Sequence, residues 1–257
     1  MNVLSVCGLS KAFGGVRAVN NVSFDVGPGE FLALIGPNGA GKSTCFNIIN
    51  GQLRPDQGEV RLLGRSIVGL PPREICRLGV GRTFQVAATF GSMTVAQNIQ
   101  LALVSQHGEV FRFGAALRHY HAQRARDLLH QVSMAGAAER ACKELAYGDV
   151  KRVELAIALA NNPRLLLMDE PTAGMAPRER NDLIALVKRL VLENNISVLF
   201  TEHSMDVVFA HADRIIVMAR GRLIADGDGA AIRDNPEVQQ VYLGTGRTFT
   251  PRVAAPS

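Results

Sequence analysis

The sequence predicts an α/β fold, and three observations support this prediction. Strand-like runs, such as residues 31–35 and 164–168, alternate with segments of helical pattern. A glycine-rich loop joins the first of these strands to a helix-compatible stretch at residues 44–50. A segment from about residue 86 to 144, rich in Ala, Leu, Gln, Arg and His, interrupts the alternation. We therefore expect a core of strands and helices with a helical insertion between two of its strands.

The first 30 residues are predicted to be short strands, and further short strands follow to residue 84. Short runs of β-forming residues are separated by turns, of which Gly27-Pro28-Gly29 is the clearest. The predicted elements are, in order, strands at 3–9, 22–26, 31–35 and 58–63, a helix at 71–78 opened by prolines, and a strand at 80–84. The last of these strands ends at Gln85.

The rest of the chain returns from helices to alternation. Thr94 and Gln97 have the spacing of a capping box, which predicts a helix start there and a helix to about Leu103. The later predicted elements are helices at 115–134, 150–160 and from Pro177 onward, strands at 164–168 and 197–201, and a hairpin of residues 215–218 and 223–225. The tail from Thr245, with few apolar residues, is predicted to be disordered.

Composition and hydropathy argue against a secreted protein and against a membrane-spanning one. The formal net charge of +5 is compatible with an anionic partner or with an ordinary basic surface. Four widely spaced cysteines predict free thiols in a reducing compartment. Residues 1–10 lack a signal-peptide pattern, and no window approaches the roughly 18 apolar residues of a membrane span. We expect a cytoplasmic protein that reaches a membrane only through a partner.

The most informative motif is GPNGAGKS at residues 36–43, which matches the phosphate-binding pattern G-x-x-x-x-G-K-[ST]. Its glycines let backbone N–H groups at a helix N-terminus point at a polyphosphate. Lys42 can reach the β- and γ-phosphates, and the Ser43 hydroxyl can bind Mg²⁺. We therefore expect binding of a nucleoside triphosphate. The residues expected to contact it here are Gly36, Pro37, Asn38, Gly39, Ala40, Gly41, Lys42, Ser43 and Thr44.

Two acidic residues follow a second buried strand. Asp169 and Glu170 stand directly after the apolar run at residues 165–168. The carboxyl ends of parallel strands are where such sheets bind ligands, so both acids are expected beside the phosphate loop. Asp169 is predicted to hold Mg²⁺ through water, and Glu170 to orient or deprotonate the attacking water. The alternative is that the acids only cap a helix.

At residues 145–149 the chain resembles the ATP-binding subunits of ABC transporters. Those subunits carry an L-S-G-G-Q signature ahead of a helix; this chain keeps Leu145 and Gly148 and departs from the pattern at Ala146, Tyr147 and Asp149. In the family this element acts on the nucleotide held by the other subunit of a head-to-tail dimer. The resemblance therefore implies that each chain provides half of two ATP sites.

The resemblance assigns roles to further residues. Phe13 matches the aromatic residue that stacks on adenine, although a packed core Phe is the alternative. Gln85 matches the glutamine that joins Mg²⁺ and water to the helical insertion, and His203 matches the switch histidine at the γ-phosphate. Ala176 stands where the family usually has an aspartate after the second acid, which leaves open whether both sites of the dimer hydrolyse ATP equally.

The resemblance extends over residues 4–244, and further motifs are similar to the branched-chain (hydrophobic) amino acid uptake branch. These motifs lie at residues 13–20, 81–85 and 235–244. Relatives in that branch also import urea, short amides or aromatic acids. The resemblance implies a P-loop NTPase core of RecA-like type with an N-terminal antiparallel β-subdomain and an inserted α-helical subdomain at about 86–160. Residues 1–244 would form this nucleotide-binding domain.

The implied function is an ATPase that drives uptake through a separate permease. The expected partners are a second ATPase subunit, identical or paralogous, two permease subunits and, indirectly, a periplasmic binding protein. ATP and Mg²⁺ are the implied ligands, and no nucleic-acid partner is expected. The alternative is a soluble ATPase of the same superfamily that acts on ribosomes or nucleic acid. Such proteins usually contain two nucleotide domains or a long coiled coil, and neither is recognisable in this sequence.

Overall fold

The computed structural model describes residues 1–83, 89–106 and 121–243. The strands are β1 (Leu4–Phe13), β2 (Val16–Val26), β3 (Phe31–Ile35), β4 (Gln57–Leu62), β5 (Arg65–Ser66), β6 (Val80–Thr83), β7 (Leu165–Asp169), β8 (Ser197–Thr201), β9 (Arg214–Ala219) and β10 (Arg222–Gly227). The helices are α1 (Lys42–Ile49), α2 (Pro72–Arg77), α3 (Val95–Gln106), α4 (Ala122–Gln131), α5 (Tyr147–Leu159), α6 (Pro177–Asn194), α7 (Met205–His211), α8 (Gly229–Asp234) and α9 (Pro236–Leu243).

The N-terminal strands form an antiparallel sheet in the order β2-β1-β4-β5. Strands β1 and β2 are longer than the sequence predicts, because they pair as one hairpin to its tip, where Phe13 lies opposite Val16. The two residues between them, Gly14 and Gly15, make the turn, and Gly14 has a φ of 57°. Strand β5 was not predicted, since it contains only two residues.

The second sheet has the order β10-β9-β3-β8-β7-β6, and its five strands from β9 to β6 are parallel. Strands β3 and β8 are buried along their whole length, as are the first four residues of β7. Helices cover such a sheet on its faces, which explains why these strands are continuous apolar runs rather than alternating ones. The predicted α/β fold, with an antiparallel N-terminal sheet, is confirmed.

Helices α3, α4 and α5 pack on one another around buried apolar side chains. The predicted capping box is present, since Gln97 N donates to Thr94 Oγ1 (3.2 Å) and Thr94 N to Gln97 Oε1 (2.9 Å). Helix α4 ends at Gln131 rather than at residue 134, because Ser133 has a left-handed φ of 61°. The predicted start of this helix at residue 115 lies outside the described residues.

Three short C-terminal helices, α7, α8 and α9, were not predicted from the sequence. Asp228 caps α8 by accepting a hydrogen bond from Ala231 N (2.8 Å), and Asn235 accepts from Glu237 N and Val238 N ahead of α9. Val238 is buried in the core. None of the helices within the described ranges combines the length and apolar character needed to cross a lipid bilayer.

Candidate nucleotide-binding site

The carboxyl ends of the parallel strands bring most of the predicted site residues to one edge of the sheet. The phosphate loop (residues 36–43) follows β3, the acids Asp169 and Glu170 end β7 and follow it, and His203 follows β8 by two residues. Strand β8 lies between β3 and β7, so its carboxyl end separates the phosphate loop from the two acids. This edge is where open α/β sheets bind ligands.

The phosphate loop is held by close backbone packing at two glycines. Gly36 has a φ of 153°, and a Cβ built on it would lie 2.2 Å from the Met218 carbonyl oxygen. Gly41 has a φ of 104°, and its Cβ would lie 2.2 Å from the Ala18 carbonyl oxygen. No side chain fits at either position. At Gly39, in contrast, a Cβ would meet nothing within 4 Å, so the middle of the loop faces open space.

Lys42 begins helix α1 and folds back over the loop. Its Nζ donates to the Gly36 carbonyl (2.7 Å) and the Pro37 carbonyl (3.1 Å), and the residue is buried. Ser43, the next residue, is exposed at the helix N-terminus. A cation, a helix N-terminus and an exposed hydroxyl at one place are the elements of a polyphosphate site.

Asp169 is positioned by neighbours from two other strands. Thr201 Oγ1 donates to Asp169 Oδ1 (2.7 Å), and the Arg82 guanidinium lies 3.8 Å from Asp169 Oδ2. Arg82 also donates to Gln52 Oε1 (2.9 Å) and Asn47 Oδ1 (3.1 Å). Burial lowers the pKa of Arg82, while the charge of Asp169 acts in the opposite direction.

Glu170 and His203 form a direct pair. His203 Nε2 lies 2.7 Å from Glu170 Oε1. The Glu170 backbone has a left-handed φ of 49°, and its N–H donates to Thr201 Oγ1 (3.0 Å) and to the Thr201 carbonyl (3.2 Å). A positive φ is uncommon for a side-chain-bearing residue and persists only where surrounding contacts hold it. Glu170 does not cap a helix, because the next helix begins at Pro177.

The oxygen atoms at this edge suit Mg²⁺. Asp169 offers a carboxylate and Ser43 a hydroxyl, and hard oxygen donors of this kind are what Mg²⁺ takes, together with substrate phosphates. The third predicted ligand, Gln85, lies outside the described residues. The chemistry of the two described donors therefore fits the ion that the sequence predicts.

Phe13 lies at the tip of the β1–β2 hairpin and is 48% exposed. It is not a packed core residue, which removes the alternative interpretation of this side chain.

Asp56 holds the end of β1, because it accepts hydrogen bonds from Lys11 Nζ (2.7 Å) and Ala12 N (2.8 Å). These contacts lower the pKa of Asp56, with the Lys11 bond as the largest cause.

The signature loop (residues 145–149) differs from the other site segments because it does not come directly after a strand of the sheet. It leads into helix α5. Ala146 has extended backbone angles, Tyr147 is exposed in the first turn of α5, and Asp149 lies in the same turn. Leu145 packs against the core. Helix α5 starts at Tyr147 rather than at Val150, so the loop's last three residues are helical.

The segment at residues 173–176, where the family usually has an aspartate, packs against the signature loop. A Cβ built on Gly174 would lie 3.8 Å from Tyr147 Cε1, and one on Gly148 would lie 3.5 Å from Met175 Cε. Ala176 offers no side-chain acceptor; its N–H donates to Glu179 Oε2 (3.3 Å) as helix α6 begins. The two elements therefore form one continuous surface.

Four residues at the sheet edge were not assigned roles from the sequence. Arg82 and Thr201 contact Asp169, Glu202 follows β8, and Arg180 donates to the Met175 carbonyl (3.0 Å) and Ser204 Oγ (2.5 Å). The sequence held a signal for two of them, since Thr201 ends the buried strand β8 and Glu202 stands between that strand and His203. Arg180 carried no such signal, because it approaches from a helix.

Together the sheet, the phosphate loop and the acids after β7 have the architecture of a P-loop nucleoside triphosphatase. Comparison with protein families then narrows this class. Residues 19–173 match the family described as ABC transporter, and residues 222–248 match the family described as branched-chain amino acid ATP-binding cassette transporter. The chain belongs to the ATP-binding proteins of ABC transporters and is an ATPase of that class.

Curated relatives match almost the whole chain. The high-affinity branched-chain amino acid transport ATP-binding protein BraF of Pseudomonas aeruginosa is 42% identical, over 94% of this chain and 98% of its own length. The high-affinity branched-chain amino acid transport ATP-binding protein LivG of Escherichia coli is 39% identical, also over 94% of this chain and 98% of its own length. These relatives are transport proteins, and they support the importer interpretation over an ATPase of ribosomes or nucleic acid.

Solved structures share the fold. A nucleotide-free ATP-binding cassette from an ABC transporter is 31% identical, with a TM-score of 0.84 over 94% of this chain and 99% of that one. An ATP-binding cassette in a dimeric post-hydrolysis state, bound to ADP and Pi, is 27% identical, with a TM-score of 0.75 over 88% of this chain and 98% of that one.

Proposed function

We propose that this chain hydrolyses ATP to drive import of branched-chain amino acids, or of related small amides or organic acids, through a separate permease. The observation that carries the proposal is that one sheet edge joins the phosphate loop, Asp169 and the Glu170–His203 pair. The two branched-chain transport relatives, each matched over 94% of this chain, support the substrate class.

In the proposed reaction, each described residue has a separate task. Lys42 leaves the carbonyls of Gly36 and Pro37 and donates to the β- and γ-phosphates, while the N–H groups at the start of α1 bind the same anion. Asp169, through water, and Ser43 would hold Mg²⁺, with Gln85, which lies outside the described residues, as a further ligand; the bound ion would spread the charge of the γ-phosphate. Phe13 stacks on the adenine base.

Glu170 accepts the proton of the attacking water as the water oxygen bonds to the γ-phosphorus and the bond to ADP breaks. His203 Nε2, at 2.7 Å from Glu170 Oε1, would hold that carboxylate in position, and we propose that the same side chain contacts the γ-phosphate. A base held by a second side chain needs no reorganisation before the proton moves.

The proposed assembly is a dimer of two ATPase subunits, identical or paralogous, on two permease subunits. In it, residues 145–149 of one subunit face the nucleotide of the other, and Tyr147 and Gly174 share the dimer surface. We further propose that residues 1–244 form one nucleotide-binding domain, with a helical insertion at about 86–160 that contacts the permease at the inner face of the membrane. The proposed disordered tail, residues 245–257, lies outside the described residues.

Uptake in cells tests this function. In a strain that lacks the gene, uptake of labelled leucine, isoleucine and valine is expected to fall and to recover with the wild-type chain but not with Glu170→Gln. Recovery with Glu193→Gln, an exposed residue on α6, is the matched control. Loss of urea, short-amide or aromatic-acid uptake instead would reassign the substrate within the proposed range, and unchanged uptake of every substrate would overturn the importer assignment.

A further inference from the structure

Glu202 is a buried acid between strand β8 and the switch histidine, and neither the motifs nor the proposed reaction uses it. Its residue surface is 3% exposed. Within the described part of the chain, its carboxylate has no ion pair with a lysine, arginine or histidine. A carboxylate buried at this place costs solvation unless hydrogen bonds replace the lost water.

Four donors supply those hydrogen bonds, and they come from two different loops. Glu202 Oε1 accepts from Thr172 N (3.0 Å) and Thr172 Oγ1 (2.5 Å). Glu202 Oε2 accepts from His203 N (3.0 Å) and Ser204 N (3.3 Å). One oxygen therefore holds the loop that carries Glu170, and the other holds the backbone of His203.

We propose that Glu202 is a positioning residue that sets the separation of His203 and Glu170. Its carboxylate bridges the base loop (residues 170–176) and the switch loop (residues 202–204), the same two loops that the 2.7 Å contact between His203 Nε2 and Glu170 Oε1 joins. Thr172 stands two residues after Glu170 and is 1% exposed, so it gives the bridge a rigid anchor.

A second link between the same loops supports this role. Arg180 Nε donates to the Met175 carbonyl (3.0 Å), and its NH1 donates to Ser204 Oγ (2.5 Å). The Glu202 bridge and the Arg180 link thus attach residues 202 and 204, which flank His203 in the chain, to residues 172 and 175. Glu202 acts on His203 more directly than Arg180 does, because its carboxylate accepts a hydrogen bond from the backbone N–H of His203 itself.

The bridge requires acceptors at both ends. A glutamine at this position offers one accepting oxygen and one donating NH₂ group. One of the two donor pairs would then face a donor, so one loop would lose its attachment while the side-chain volume stays almost constant. Displacement of a catalytic contact by about 1 Å can cost on the order of 100-fold in rate.

The inference rests on the proposed roles of Glu170 and His203. A double-mutant cycle separates a failure of the positioning role of Glu202 from a failure of those proposed roles. The full-length chain is assayed with Mg²⁺ and ATP as wild type, Glu202→Gln, His203→Ala and the double variant, with Glu193→Gln as the control. Glu202→Gln is expected to lower kcat by roughly 10- to 100-fold and to leave the ATP dissociation constant within about two-fold. In the His203→Ala background it is expected to have almost no further effect, because it acts through the contact between His203 and Glu170, which this background lacks.

Each outcome decides one point. If Glu202→Gln lowers kcat by the same factor with and without His203, or leaves kcat unchanged, the positioning role is wrong. If His203→Ala itself turns over at the wild-type rate, the proposed catalytic function of His203 fails instead. Should Glu202→Gln not fold, Thr172→Val, which removes one donor to Oε1, must lower kcat while Thr172→Ser keeps it; equal rates for these two would overturn the inference.

Discussion

His203 Nε2 and Glu170 Oε1 lie 2.7 Å apart, although the residues are 33 positions apart in the chain. Parallel pairing of β7 with β8 creates this contact, because Asp169 lies in register with Thr201 and the two residues continue into neighbouring loops. The left-handed φ of Glu170 turns its chain at this point. The sheet thus brings Glu170 and His203 into neighbouring loops at one edge.

Glu170→Gln is expected to lower ATP turnover by at least about 100-fold, since a positioned base contributes on the order of 10² to 10⁴ in rate. ATP binding should persist, because the residue does not hold the phosphates. Phosphate release and calorimetric titration with ATP measure the two quantities. Hydrolysis at the wild-type rate would show that another group activates the water.

Lys42→Ala is expected to weaken ATP binding more than ten-fold. The variant removes the cation at the start of α1. In the structure its Nζ donates to the Gly36 carbonyl (2.7 Å), and it can donate to a phosphate instead when ATP is bound. Calorimetry measures the dissociation constant, with Lys188→Ala, on the side of α6 that meets Asp213, as the matched lysine control. Equal affinities for the two variants would contradict the phosphate-loop assignment.

Phe13→Ala is expected to weaken ATP binding by roughly ten-fold, because stacking of a base on an aromatic ring contributes about 1–3 kcal/mol. Phe13→Tyr should keep the affinity. Val16→Ala, at the same hairpin tip and 70% exposed, is the control for the hairpin itself. Fluorescent ATP analogues and competition with GTP measure the effect, and an unchanged affinity for Phe13→Ala would remove the stacking role.

Sequence patterns predicted the parts of this molecule whose structure depends on neighbouring residues in the chain. Strands β3 and β8, the capping box of Thr94 and the loop at residues 36–43 all follow from local spacing. The contacts of Arg82 with Asp169 and of Arg180 with Ser204 depend on sheet order and helix packing, which no local pattern encodes. The lengths of β1 and β2 were underestimated for the same reason, since pairing between the two strands extends them to the tip of the hairpin.

Cys45 is expected to resist alkylation although it lies in α1, close to the phosphate loop. Burial raises the pKa of its thiol from 9.0 to about 12, so almost no thiolate exists at pH 8. Exposed Cys7 should react first with iodoacetamide, and Cys45 only after unfolding in guanidinium, as peptide mass spectrometry can measure. Labelling of Cys45 at the rate of Cys7 in the native protein would contradict its burial.

The same shift has a consequence for stability. The unfolded thiol of Cys45 ionises near pH 9.0, whereas the native thiol stays protonated to about pH 12. Above pH 9 the native state therefore binds more protons than the unfolded state, and the free energy of unfolding falls as the pH rises. Cys45→Ser or Cys45→Ala should flatten this fall between pH 9 and 10 in urea titrations, and an unchanged slope would show that other groups cause it.

Gly36→Ala is expected to destabilise the protein and to weaken ATP binding together. A Cβ at this position would lie 2.2 Å from the Met218 carbonyl oxygen of β9, at a φ of 153° that side-chain-bearing residues rarely adopt. The backbone must shift, at a cost on the order of 1–3 kcal/mol or more. Gly39→Ala is the matched control, because a Cβ there meets nothing within 4 Å, although its φ of 77° still adds backbone strain. Thermal unfolding should therefore rank Gly36→Ala well below Gly39→Ala, and a reversed order would contradict the packing of the phosphate loop on β9.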